Sequence, residues 1–143
     1  MIIWPQREFP YGSMGVPRNG LLVGGGGGWT LRYTDYVLHA DGKIERLEYK
    51  TEGGPIPDGY RTTGTGAGDP ETIRDFDEKL LANGFWSLEL EPATSNELVY
   101  VVAANEKKGA HDAVWTPDAL DEPDKIASIR NDILKYAMGI VDC

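Results

Sequence analysis

From residue 29 onward the apolar positions change period several times, and each change marks an element. Residues 29–39 are rich in aromatic and β-branched side chains, and Asp41-Gly42 then supplies the positive φ angles of a tight primed turn. The return over 43–50 alternates, with Leu47 and Tyr49 on one face and Arg46, Glu48 and Lys50 on the other. This pattern predicts a β-hairpin over 29–51. Residues 52–69 read as a Gly/Pro-rich loop in which 60–63 is a candidate short strand. At Asp69-Pro70 the period becomes helical. Asp69 suits the N-cap, Pro70 suits the first helical position, and Ile73, Phe76, Leu80 and Leu81 share one face up to Asn83-Gly84.

Residues 85–90 alternate like a half-buried strand, which Pro92 ends. A second hairpin follows, with arms at 98–103 and 111–115 and its turn at 105–109. Thr116-Pro117 breaks it. Asp121 can cap a last helix with Ile126, Ile129, Ile133, Tyr136 and Ala137 as its buried stripe and Gly139 as its end. The order ββ–α–β–ββ–α predicts an α+β fold. An antiparallel sheet of two hairpins plus one strand carries both amphipathic helices on one face, and the other face is wetter.

The glycines divide the chain differently. Eight of the 18 lie in residues 1–28 and six in 52–70. Residues 1–28, with Pro5, Pro10, Pro17 and the run from Gly24 to Gly28, show neither period and read as an extended N-terminal tail. That tail carries Trp4, Phe9 and Tyr11, which a pure linker rarely does. It lies either on its own domain or on a partner. The expected division is therefore a tail over 1–28 and a single α+β domain over 29–143.

Composition narrows the function classes. With 14 Lys+Arg against 23 Asp+Glu the chain carries a formal charge of -9, which argues against nucleic-acid binding. No apolar run is long enough to span a membrane, and the start shows no signal-peptide pattern, so a cytoplasmic location is the default expectation. The lone cysteine, Cys143, excludes an internal disulfide. From residue 71 onward 15 acids stand against 7 bases, an imbalance suited to a partner with a basic surface.

Candidate chemistry is sparse. His39 and His111 sit in predicted strands beside hairpin turns, outside any nucleophile–base motif. His111 and Asp112 are adjacent on one strand and point to opposite faces, so they cannot chelate together without a bulge. The Gly64-Thr-Gly-Ala-Gly68 segment precedes a helix N-terminus, a plausible anion site. It lacks a following Lys, however, and Asp69 places negative charge where phosphate would lie. The carboxylates Asp75, Asp77, Glu78, Asp118, Asp121, Glu122 and Asp124 fall in or near helix first turns, where caps and solvated faces account for them. No catalytic set, metal site or cofactor is expected.

The glycine cluster before the first hairpin, the segment from Tyr36 to Ile44 and the helix-ending Asn83-Gly-Phe-Trp-Ser-Leu88 together resemble the emfourin-type inhibitors of thermolysin-like metalloproteases and related small bacterial domains. The likeness covers about residues 24–138; the five-glycine run and the 23-residue leader depart from it. It implies a non-enzymatic protein-binding domain. The expectation is accordingly an accessory subunit or inhibitor that meets another protein through Trp4, Phe9, Tyr11, Gly26, Gly27 and Trp29. Two alternatives stay open: a metalloprotease inhibitor specifically, and a small-ligand or carbohydrate binder using Trp29, Trp86 and Trp115.

Overall fold

The computed structural model describes residues 19–27, 32–50, 60–89, 98–105, 107–116 and 123–141. Strands β1 (Gly20–Gly27), β2 (Arg32–His39), β3 (Lys43–Lys50) and β4 (Tyr60–Ala67) precede helix α1 (Pro70–Ala82). A 3-10 turn at Phe85–Ser87, strands β5 (Leu98–Asn105) and β6 (Gly109–Trp115) and helix α2 (Asp124–Val141) follow. The strands form one antiparallel sheet in the order β4-β3-β2-β1-β5-β6. The fold is α+β, with both helices against one face. Among the described residues no helix is long and apolar enough to cross a membrane.

The β2–β3 hairpin forms as its turn residues dictate. Gly42 takes φ 103°, its N–H bonds His39 O at 2.9 Å, and Lys43 N donates to Asp41 Oδ1 at 3.0 Å. The α1 cap also forms, with Asp69 Oδ1 accepting from Glu71 N at 3.1 Å. Ile73, Phe76 and Leu80 are buried, whereas Leu81 is exposed, because a fourth apolar residue widens the stripe beyond what the sheet covers. Against them pack Leu21, Val23, Leu38, Ile44, Val101 and Ala103 from the sheet and Ile126, Ile129, Ile133 and Ala137 from α2. Tyr136 ties the helices together: its hydroxyl oxygen accepts from Asp69 N at 2.7 Å.

Five expectations are corrected. Gly20–Gly27, assigned above to the tail, is a strand near the middle of the sheet, paired on both sides to β2 and β5. Leu21, Leu22 and Val23 are fully buried, so the trio serves both faces and shows no alternation. The candidate strand at 60–63 runs on to Ala67, with a bulge at Thr63 held by Arg46, whose Nε and Nη2 donate to Thr63 Oγ1 and O at 2.9 and 2.8 Å. Where a strand was expected over 85–90, Phe85–Ser87 is a 3-10 turn that drops Phe85 into the core, and residue 90 lies outside the described residues. Gly139 does not end α2, which continues to Val141. Finally, the face away from the helices is not wet: Leu22, Val37, Leu47, Tyr100, Val102 and Val114 form a second buried cluster there. Residues 1–18, and with them most of the expected tail, and the Asp121 cap lie outside the described residues.

Candidate functional site

β1 changes character at Gly24. Alternation puts Leu21, Val23 and Gly25 on the helix side and Leu22 and Gly24 on the other. On the far side the row Asp35–Gly24–Tyr100 crosses β2, β1 and β5 in register. The Tyr100 hydroxyl donates to Asp35 Oδ1 across the intervening strand, and both residues are fully buried. That reach exists because Gly24 has no side chain. A Cβ there would fall inside the Asp35 carboxylate and 2.8 Å from Thr34 O. Burial raises the Tyr33 phenol above its ordinary value, and the charge of Asp35 adds to the rise.

On the helix side, β1 past Val23 offers bare backbone. α2 crosses it without filling the space and leaves a groove of about 330 Å³ bordered by Gly25, Thr34, Tyr36, Arg130, Leu134 and Met138. Arg130 reaches in from α2 and donates from Nη2 to Gly24 O at 2.7 Å, fixing the helix over the glycines. Met138, on the same helix, is 43% exposed at the rim. A bare strand floor, one half-buried cation and an exposed thioether thus border the groove.

A second cavity, also about 330 Å³, opens at the end of the sheet where β1 begins and β5 ends. Leu21, Ile73 and Ala104 line it, and Arg74 and Asp77 enter from α1. Asp77 Oδ1 is buried and, among the described residues, accepts no hydrogen bond. Burial raises its carboxyl above the ordinary value; Glu78 adds to the rise and Lys108 offsets part of it. The folded chain therefore holds this proton more tightly than the unfolded chain. The contribution is present below the unfolded pKa and is lost as pH rises through the raised folded value. Asp77→Asn should remove that component of the pH slope. It should leave the protein more stable than wild type at neutral pH, by no more than about 1 kcal/mol because the site is half open, and urea midpoints at acid and neutral pH check this.

Of the residues singled out above, Gly26 borders the groove and Gly27 ends the same strand. Trp4, Phe9, Tyr11 and Trp29 lie outside the described residues. Trp115 is buried and Trp86 packs beside Phe85, so these two form no exposed aromatic shelf. His39 Nε2 lies 3.1 Å from Glu45 Oε2, and Lys43 Nζ lies 3.2 Å from Oε1. Burial pushes the Glu45 carboxyl up, and these two partners outweigh it, leaving the group below its ordinary value. His111 Nε2 is 2.8 Å from Leu88 O with its ring edge-on to Phe85, which makes it a packing residue of the 3-10 turn.

The Gly64-to-Gly68 segment is edge strand and strand end. A Cβ at Gly64 or Gly66 would stand 2.6 Å from Val141 or Ile140, so these glycines let the last turn of α2 lie on β4. Among the described residues no three His, Cys, Asp or Glu side chains gather to hold a metal. Arg130 and Met138 were missed by sequence reasoning, since a helix surface reveals its groove only once the opposing strand is placed. No family model matches the chain, and no curated protein is significantly similar to it.

Proposed function

We propose that this chain is a non-enzymatic protein-binding module, an accessory subunit or inhibitor of a partner protein. The observation that carries the reading is the groove between the β1 glycines and α2, where a bare strand floor meets the exposed Met138 rim. Such a surface accepts an apolar side chain of a partner, and the overall charge of -9 favours a partner whose surrounding surface is basic.

Met138→Asp tests it, because an exposed helix position tolerates the change and the fold should persist. A partner captured by the wild-type chain from its own cell extract is expected to be lost, with a drop of tenfold or more in affinity, while circular dichroism stays unchanged. Capture of the same protein equally well by both baits would sink the reading. The narrower inhibitor reading rests on the emfourin resemblance and has its own assay. The chain should lower the turnover of a thermolysin-like protease at near-stoichiometric ratio, and undiminished turnover would remove it.

A further inference from the structure

The cavity at the end of the sheet differs from the α2 groove in chemistry, and it goes beyond the protein-binding reading. Among the described residues its charged side chains are two, of opposite sign, on one helix. Arg74 and Asp77 are spaced i, i+3 on α1, close enough to pair with each other. Among the described residues no ion pair or hydrogen bond joins them, and Asp77 Oδ1 is buried with no donor. A buried carboxylate oxygen without a partner costs folding free energy and asks for an explanation. Both groups border the same space above an apolar floor of Leu21, Ile73 and Ala104. We propose that this cavity binds a small zwitterion of the apolar α-amino-acid class, with the ammonium on Asp77, the carboxylate on Arg74 and the side chain on the apolar floor.

The alternatives fit the same walls less well. An inorganic anion or a phosphate ester is drawn by Arg74 and repelled by Asp77. A divalent cation needs several oxygen ligands, and here it meets one carboxylate next to a guanidinium. A simple amine leaves Arg74 unused. A volume of about 330 Å³ lies at the small end of ligand cavities and suits an amino acid better than a nucleotide or an oligosaccharide.

The test is a titration of the full chain, followed by amide chemical shifts, with three probes of one carbon skeleton. L-leucine carries both charges, isoamylamine only the ammonium, and 4-methylpentanoate only the carboxylate. L-leucine is expected to shift the amides of Gly20, Leu21, Ile73 and Ala104 saturably, with a Kd of about 1 mM or tighter. Each single-charge analogue should bind at least tenfold more weakly, as should L-leucine to Asp77→Asn and to Arg74→Gln. Arg74 is exposed and Asp77 half-buried on α1, and unchanged shifts elsewhere confirm the fold of both variants. Absence of a saturable L-leucine shift overturns the proposal. So does an analogue or a variant that binds as tightly as the parent pair, since one of the two assigned contacts is then not made. None of these outcomes bears on Met138.

Discussion

Alanine at Gly24 is expected to cost the fold about 3 kcal/mol or more, a large effect for a single methyl group. The methyl would enter the space of the Asp35 carboxylate and press on Thr34 O, a backbone atom that cannot turn aside. It would also part Tyr100 from Asp35, residues 65 positions apart whose contact closes the row over β1. Tyr100→Phe removes only that donor from a buried carboxylate, so a loss of about 2 kcal/mol is expected from it alone. Gly139→Ala is the control. Among the described residues nothing lies within 4 Å of a Cβ there, and the substitution should stabilise α2 by about 0.5–1 kcal/mol. Urea unfolding of the three variants reads all of this. A Gly24→Ala midpoint equal to wild type would mean that the row does not close as described.

Phe85→Ala should be at least as damaging, at about 3–5 kcal/mol, because a fully buried ring is replaced by a cavity. The ring lies edge-on to His111 at 5.1 Å and to Trp86 at 5.7 Å, so its loss also loosens the 3-10 turn that joins α1 to the second half of the sheet. A fall in Tm of roughly 10 °C follows for a domain of this size. Trp86 fluorescence should shift before the global transition as the turn opens. A Tm within about 2 °C of wild type would show that Phe85 is not a core residue.

These sites mark where the chain was legible and where it was not. The β2–β3 hairpin and α1 were readable because local signals agreed: Asp41-Gly42 at one turn, Asp69-Pro70 at one cap, and an apolar period between. β1 was not, because Leu21-Leu22-Val23 is too short to show a period and the glycines after it carry no propensity for a strand. What calls for glycine at position 24 is Asp35, a residue of another strand that claims the space over it. Phe85-Trp-Ser satisfies alternation and a 3-10 turn equally, and only the shape of the core decides between them. The wet face expected on the sheet failed for a related cause. Tyr33, Val37, Tyr100 and Val102 are apolar in strands whose other side is also largely apolar, so alternation could not tell one covered face from two. Of the groove, Gly26 was legible as part of a glycine cluster. Arg130, 106 positions from the carbonyl it binds, was not.

The strand order has a consequence for how the molecule is made. β1 to β4 form a consecutive meander that α1 follows directly, so this portion can assemble as soon as it leaves the ribosome. Besides the β4 edge it exposes the flank of β1, and much of the seat on its apolar face belongs to α2, which packs on β4, β3, β1 and β2. Until the last third of the chain is synthesised, that flank and that seat face the solvent together, the condition under which nascent sheets pair with the wrong neighbour. Glycine is poorly suited to templating a foreign strand. A run of it along the waiting flank protects the half-made protein, at the cost of a weaker seam in the finished one.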